Sequence, residues 1–185
     1  GGTTGSPKAA MLTHGNLMAN VAQINAWLPQ VRYGEERIMG LLPMSHIFGL
    51  TVCLNWPMSQ GALILVLPRF ELDGFIRALK KHRPTMLPGV PTLFVALLND
   101  PRLSRLDLSS LWACISGSAP LPLEVRERFE AISGCRIIEG YGLTEASPVT
   151  HFNPIKGLRP LGSMGIPFPG TLAKVMDQET GTLEM

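Results

Sequence analysis

The sequence has few charged residues and almost no excess of either sign. Asp, Glu, Lys and Arg make up 16% of the 185 residues, and 16 basic against 14 acidic side chains leave a net charge of +2. Proteins that bind nucleic acid usually carry a basic stripe against the phosphates, so we exclude nucleic acid as a partner. A hydrophobic content of 45% excludes a disordered chain, and the length fits one domain.

Cysteine is also scarce. The three cysteines, Cys53, Cys114 and Cys135, lie far apart in apolar segments. This odd number argues against a disulfide framework, and the absence of a C-x-x-C pair argues against a zinc site. We therefore expect a reducing compartment, the cytoplasm.

The beginning of the sequence has no basic segment followed by an apolar one, the pattern typical of a secretory signal. The sequence begins on Gly1-Gly2 without an initiator methionine and stops at Met185. We expect it to be an excised piece of a longer protein.

A long stretch without charge resembles a membrane span at first sight. Residues 38–68 contain no Asp, Glu, Lys or Arg, and such a run is long enough for a bilayer about 30 Å thick. Polar residues and helix breakers interrupt it, including Pro43, Gly49, Asn55 and Pro57, and their polar groups would be unmatched in lipid. We predict a buried strand, a loop, a helix and a second strand instead of a transmembrane segment.

Hydrophobic periodicity predicts helices that alternate with short apolar strands. The predicted helices cover residues 14–28, a segment ending at 56, and residues 72–82, 91–98 and 123–132; the predicted strands cover 38–42, 62–67, 85–87, 112–116 and 136–139. This alternation indicates an α/β fold with a mainly parallel sheet flanked by helices on both faces. Ligands of such sheets bind at the carboxyl ends of the strands.

Three polar loops interrupt the apolar sequence. Residues 1–8, Gly-Gly-Thr-Thr-Gly-Ser-Pro-Lys, combine glycines, hydroxyls and a lysine, which suit a phosphate-binding loop. The order of residues does not match a Walker A motif, and a plain turn with a solvated lysine remains the alternative.

The other two loops follow predicted strands. Small residues at 116–122 leave room for a planar ring against the backbone, although by themselves they are better explained by a tight strand-to-helix turn. Residues 139–145, Glu-Gly-Tyr-Gly-Leu-Thr-Glu, offer an aromatic face, a hydroxyl and a carboxylate that can hold Mg²⁺. A structural loop is the alternative there too.

The order of these motifs carries a family resemblance. The glycine/threonine/lysine loop, Pro-x-x-His at 43–46, Gly-Ser-Ala-Pro at 117–120 and Gly-Tyr-Gly-x-Thr-Glu at 140–145 resemble the adenylate-forming, or AMP-binding, superfamily. This superfamily includes acyl-CoA synthetases, luciferases and peptide-synthetase adenylation domains. The opening residues are most similar to medium- and long-chain fatty-acid CoA ligases. The resemblance implies that residues 1–185 are the central part of the large N-terminal domain, an incomplete piece without the C-terminal domain.

The resemblance also implies a role for each motif residue. The ATP phosphates, Mg²⁺, adenine and the acyl substrate would be held by the following residues: Thr3, Thr4, Gly5 and Lys8 over the phosphates; Thr144 at the α-phosphate; Glu145 on Mg²⁺; Tyr141 with Gly117, Ser118 and Ala119 around adenine; Glu139 and Gly140 at its edge; and His46 in the carboxylate and acyl pocket. Lys8, Thr144 and Glu145 would be the catalytic residues. A hydrogen-bonded core histidine is the alternative for His46.

The implied activity is activation of a carboxylic acid, most simply a fatty acid, by ATP to acyl-AMP and then, with CoA, to acyl-CoA. The implied partners are these small molecules, with no transmembrane segment and with peripheral membrane contact in the parent protein. The sequence departs from the family at Ala9, where glycine is usual, and it has no downstream Thr-Gly-Asp segment. We therefore expect the parent to be a ligase and the 185 residues to be nearly inactive alone. A stand-alone nucleotide-binding module, an inactive fragment and a domain that loads a carrier protein are the competing hypotheses.

Overall fold

The computed structural model describes residues 8–184, and a seven-stranded sheet organises them. The strands of this sheet are β1 (Arg37–Gly40), β2 (Leu63–Val66), β3 (Met86–Gly89), β4 (Ala113–Ser116), β5 (Ile137–Gly142), β6 (Val149–Phe152) and β7 (Ile166–Pro167). Their order is β2-β1-β3-β4-β5-β6-β7. The first five strands in this order pair in parallel, whereas β6 pairs antiparallel with β5 and with β7. The predicted α/β fold with a mainly parallel sheet is confirmed.

One helix precedes β1, and the others connect the parallel strands. They are α1 (His14–Trp27), α2 (Ile47–Leu50), α3 (Trp56–Ser59), α4 (Leu72–His82), α5 (Pro91–Leu98) and α6 (Leu123–Ser133). A π-helical turn, Thr51–Asn55, joins α2 to α3, so the helix predicted to end at residue 56 continues to Ser59. No helix within residues 8–184 combines the length and apolar character needed to cross a bilayer.

Consecutive residues of a central strand face opposite layers of the core. In β1, Ile38 packs with α1 and Trp56 on one face, and Met39 packs with α4 and α5 on the other. Both side chains are completely buried, because adjacent side chains of a strand point to opposite sides. This double covering is why the central strands are continuously apolar.

Strand β2 departs from the expectation of a buried strand. Leu63 and Val66 are 53% and 57% exposed. The reason is its position, since β2 lies at the edge of the sheet and pairs only with β1 among the described strands.

Strand β5 also differs from the prediction. The strand predicted to end at residue 139 continues to Gly142 and forms a hairpin with β6, so the first half of the predicted 139–145 loop is extended strand. Strands β6 and β7, and a separate hairpin of β8 (Val175–Met176) with β9 (Leu183–Glu184), were not predicted.

The helix after the first loop begins at a hydrogen-bonded cap. The Thr13 hydroxyl oxygen accepts from the Asn16 N–H at 3.1 Å, and the Asn16 side-chain oxygen accepts from the Thr13 N–H at 3.0 Å. Such a capping box satisfies amide donors that have no partner inside the helix. The start of α1 is therefore set locally, a few residues after Lys8.

Candidate functional site

A cavity of about 220 Å³ lies at the carboxyl end of the sheet, the edge at which β1, β3, β4 and β5 end. We call it the site cavity. Six residues of the predicted site line it: His46, Gly117, Ser118, Gly140, Tyr141 and Thr144. Residues separated by almost a hundred positions in sequence thus meet around one space.

The Gly-Ser-Ala-Pro segment turns the chain at the end of β4. Gly117 is buried, and its N–H donates to the Gly89 carbonyl at 3.3 Å. A Cβ at Gly117 would lie 3.0 Å from Cζ of Phe48, so glycine lets the Phe48 ring approach the backbone. Ser118 follows in the left-handed region with φ of 70°, and the turn presents backbone to the site cavity.

The glycines of the Gly-Tyr-Gly segment are required by the hairpin. A Cβ at Gly140 would lie 2.4 Å from Cδ2 of Phe152, and one at Gly142 would lie 2.3 Å from the Pro148 carbonyl oxygen. Between them Tyr141 is 45% exposed, with its ring 6.1 Å from that of His151. The tight pairing of the two strands holds an accessible aromatic face at the cavity.

Thr144 and Glu145 form one 3₁₀ turn immediately after the hairpin strand. Both residues are exposed, and Thr144 lines the site cavity. No cation of the described chain lies within ion-pair distance of Glu145. Mg²⁺ is commonly held by one or two carboxylates together with substrate phosphates and water, and within residues 8–184 no cluster of three His, Cys, Asp or Glu forms a closed metal cage. The single carboxylate of Glu145 fits that kind of site.

His46 lies at the N-terminus of α2. Its Nδ1 accepts a hydrogen bond from the Phe48 N–H at 3.1 Å, which leaves the proton of the neutral ring on Nε2. The side chain is exposed and lines the site cavity. The alternative of a core histidine is therefore wrong, although the predicted hydrogen bond exists.

Glu139 and Ala119, like Glu145, are predicted site residues that do not line the cavity. The Glu139 carboxylate accepts from the Leu121 N–H at 3.1 Å and lies 3.9 Å from the Arg126 guanidinium. It thereby ties the turn after β4 to β5 and α6. Ala119 is exposed in that same turn and is not among the lining residues.

The first loop is described only at its end. Lys8 is exposed and does not line the site cavity. Thr3, Thr4 and Gly5 lie outside the described residues.

The apolar part of the cavity was missed by sequence reasoning. It is lined by side chains from α1, the helical segment 47–59 and the strands beyond β5, namely Ile24, Trp27, Leu28, Phe48, Val52, Trp56, Val149, Phe152 and Phe168. The helical period of α1 marks Ile24 and Leu28 as inward-facing, but it does not distinguish core from cavity. Phe152 and Phe168 come from the unpredicted region and carried no signal.

One polar atom in this lining has no partner. Ser116, the last residue of β4, is 1% exposed, and its Oγ forms no hydrogen bond within the described structure. Buried hydroxyls are nearly always paired, and an unpaired one is costly. Because Ser116 lines the site cavity, its hydroxyl is available to a polar group placed there.

The desolvated thiols lie away from this chemistry. Burial raises the pKa of the Cys53 thiol to about 11, because its effect is larger than the opposing effect of two backbone hydrogen bonds. Cys53, Cys114 and Cys135 are all free and buried. Burial also raises the pKa of the Cys114 thiol. A thiol held protonated is a poor nucleophile, so Cys53 and Cys114 belong to the packing.

Comparisons with known proteins agree with this geometry. Residues 1–184 match the family model described as AMP-binding enzyme. The chain is 46% identical over 183 residues to a long-chain-fatty-acid–CoA ligase of Bacillus subtilis, covering 99% of this chain and 33% of that protein. It is 41% identical over 181 residues to a long-chain-fatty-acid–CoA ligase of Escherichia coli, covering 97% of this chain and 32% of that protein. The chain spans about a third of the length of these curated relatives.

A solved structure gives the same result for the fold. ATP-bound MatB from Rhodopseudomonas palustris matches with a TM-score of 0.90 at 34% identity, covering 100% of this chain and 36% of that one. Since the family model covers almost every residue and the backbone follows that of this enzyme, the chain belongs to the AMP-binding enzyme family.

Proposed function

We propose that the protein containing this chain is an AMP-forming acid–thiol ligase that activates a fatty acid with ATP and transfers the acyl group to CoA. The observation that carries the proposal is the meeting of His46, Gly117, Tyr141 and Thr144 around one cavity whose remaining lining is mostly apolar. The similarity to two long-chain-fatty-acid–CoA ligases supports it. We propose that the 185 residues, about a third of such a protein, turn over little or nothing alone.

The polar part of the site cavity suits the nucleotide. Adenine would lie between the exposed face of Tyr141 and the backbone at Gly117 and Ser118, with Ala119, Glu139 and Gly140 around its edge. Stacking on an aromatic ring and hydrogen bonding to backbone groups are common means of holding a planar heterocycle. MatB, which has the same fold, was solved with ATP bound, and this supports a nucleotide as the ligand.

The phosphates would extend toward the Thr144–Glu145 turn and Lys8. The Thr144 hydroxyl would donate to an α-phosphate oxygen, and Glu145 would hold Mg²⁺, which neutralises phosphate charge when bound. Thr3, Thr4, Gly5 and Lys8 would cover the outer phosphates, the lysine with its mobile positive charge. The Thr144 hydroxyl and the Lys8 ammonium would donate to phosphate oxygens and offset the negative charge that develops on them, and a bound Mg²⁺ would supply further positive charge.

The acid would enter the apolar part. His46 lines the cavity, and its Nδ1 already accepts from the Phe48 N–H. Its Nε2–H would bind the carboxylate while the hydrocarbon contacts residues such as Trp56 and Phe168. This arrangement holds two mutually repelling anions in contact, which is a large part of what the enzyme must supply.

The reaction would follow in two steps. A carboxylate oxygen attacks the α-phosphorus, the bond to the β-phosphate oxygen breaks, and pyrophosphate leaves with acyl-AMP retained. The CoA thiolate then attacks the acyl carbon, the carbon–oxygen bond to phosphate breaks, and AMP leaves. Neither step requires a covalent bond to the protein. Free buried thiols support a reducing compartment, and we propose the cytoplasm.

Carboxylate-dependent exchange of labelled pyrophosphate into ATP by the intact parent protein tests the first step. We expect exchange with fatty acids and none without an acid. If no carboxylic acid of any size supports exchange, the proposal is contradicted and a nucleotide-binding module is favoured. If the thioester forms on a carrier protein and not on CoA, the proposed acceptor is wrong and the proposed activation by ATP stands.

A further inference from the structure

Trp27 is shared by two spaces in the molecule. At the C-terminus of α1, it lines the site cavity, and it also lines a groove of about 990 Å³. The other groove residues are Ala26, Pro29, Gln30, Arg32, Glu36, Trp112, Pro154, Ile155 and Lys156. We call this space the amino-end groove, for the reason given next.

The amino-end groove lies at the edge opposite to the site. Glu36 immediately precedes β1, and Trp112 immediately precedes β4, so both mark the edge where parallel strands begin. Gly117 and Ser118 follow β4 and mark the other edge. Strand β4 has four residues, about 13 Å at roughly 3.3 Å per residue. The site cavity therefore extends under α1 along the sheet, and Trp27 forms its wall toward the far edge.

The lining along this path suits hydrocarbon. None of the described residues that line the site cavity is Asp, Glu, Lys or Arg. Toward Trp27 the wall consists of Ile24, Leu28 and Phe168, all buried. The Trp27 and Phe168 ring centroids are 5.3 Å apart, and those of Phe168 and Phe152 are 6.0 Å apart. This row of rings fixes the position of the indole.

We propose that the Trp27 indole closes the inner end of the acyl pocket and sets the longest chain that the enzyme activates. The inference rests on the proposed function, because it requires a carboxylate near His46 and an alkyl chain running toward α1. Tryptophan presents a large rigid wall, and beyond it the amino-end groove is open to solvent and partly apolar at Trp112 and Ile155. A smaller side chain at position 27 would join the two spaces and let a longer chain pass.

The test compares pyrophosphate exchange by the intact parent protein across saturated acids of increasing length. For Trp27→Ala we expect kcat/KM for acids longer than the wild-type optimum to rise at least about tenfold relative to shorter ones, the scale of hydrophobic-pocket discrimination. Trp27→Phe keeps a ring in place and should shift the profile little. Gln30→Ala, which changes a residue of the groove alone, should leave the profile as in the wild type.

The outcomes separate the two claims. A wild-type protein that shows no exchange with any acid contradicts the proposed function. An active wild type whose length profile is unchanged, or shortened, in Trp27→Ala contradicts the role of Trp27 alone. Trp27→Leu provides a second reduction in size if the alanine variant does not fold.

Tryptophan quenching in the folded wild type gives an independent answer. Fatty acids carrying bromine at successive positions are bound, and the Trp27 contribution is obtained by subtracting the signal of Trp27→Phe. We expect bromine near the methyl end to quench Trp27 and bromine near the carboxylate to leave it unquenched. If bromine at no position quenches it, the alkyl chain does not reach Trp27 and the inference is wrong.

Discussion

Among the described residues, polar side chains at the amino ends of the parallel strands are hydrogen-bonded within the protein, whereas several at the carboxyl ends are not. At the amino end, the buried Glu36 carboxylate accepts hydrogen bonds from the Thr85 hydroxyl and from the Trp112 indole N–H, the latter at 3.0 Å. At the carboxyl end, the Ser116 hydroxyl is buried without a partner in the described structure. The Thr144–Glu145 turn there is exposed and no cation of the described residues is paired with its carboxylate.

A second carboxylate strengthens the contrast. Glu130 accepts from the Ile137 N–H, where β5 begins, and from the Arg159 guanidinium, each at 2.7 Å. Both of these acids at the amino end are therefore satisfied by the protein itself, which favours folding. The carboxyl end leaves donors and a carboxylate for something outside the protein, which favours binding at some expense of stability. This comparison predicts that substitutions at the two edges change different measurements.

The largest effect should come from the carboxyl end. Glu145→Ala in the parent protein removes the proposed Mg²⁺ ligand, and we expect pyrophosphate exchange to fall by about 10²- to 10³-fold, the scale for losing one electrostatic contact in a transition state. Lys8→Ala should have a similar effect. Lys81→Ala, an exposed change at the end of α4, is the control and should retain wild-type exchange. Equal losses in all three variants would mean that the site is misplaced.

At the amino end the effect should be on stability. Glu36→Ala leaves the donors of Thr85 and Trp112 without their acceptor, and unsatisfied buried donors cost about 1–3 kcal/mol. We expect the free energy of unfolding in urea to fall by that amount. Glu35→Ala is a matched control, because Glu35 is exposed in a surface ion pair with Arg32 and such pairs contribute about 0–1 kcal/mol. A parent protein with Glu36→Ala that folds normally but loses exchange would break the comparison.

The pH dependence of stability tests the second acid. Burial by itself would raise the pKa of Glu130, but the Arg159 hydrogen bond and the Ile137 N–H outweigh it, and the pKa lies below its ordinary value. A depressed pKa adds stability above the unfolded-state value of about 4.3, and this contribution is lost as pH falls through the lower folded-state value. Below about pH 4, wild-type stability should therefore decline more steeply than that of Glu130→Gln. Parallel curves would show that Glu130 contributes nothing to acid unfolding.

The smallest effect is expected for the same change, serine to alanine, made once at each edge of the sheet. The Ser110 hydroxyl donates to the Pro84 carbonyl at 2.8 Å near the amino end, so Ser110→Ala should cost about 1 kcal/mol. Ser116→Ala removes a buried hydroxyl that has no partner in the described structure, so the free energy of unfolding should stay the same or rise slightly. Chemical denaturation measures both. A loss of stability for Ser116→Ala would show that its hydroxyl is already satisfied in the folded protein.

The helices and strands whose apolar residues follow a clear periodicity were predictable from the sequence for physical reasons. Helix α1 was predicted because its apolar residues repeat with the helical period, and the structure adds the Thr13 capping box that sets its start. The central strands were predicted because both faces of the sheet are covered, which makes them continuously apolar. The motif order indicated the family through its resemblance to the AMP-binding superfamily. The roles assigned to Lys8 and Glu145 stay predictions.

Long-range pairing decided the rest. The sequence carries no sign that β2 lies at an edge, because exposure there depends on which strands are its neighbours. The extension of β5 to Gly142 and the placement of Phe152 and Phe168 follow from the antiparallel hairpin with β6, whose contacts are not local. Local periodicity and residue chemistry therefore determined the elements and the motifs. Tertiary packing alone placed the apolar cavity and Trp27 at its end, because a cavity belongs to the space between elements and no single segment encodes it.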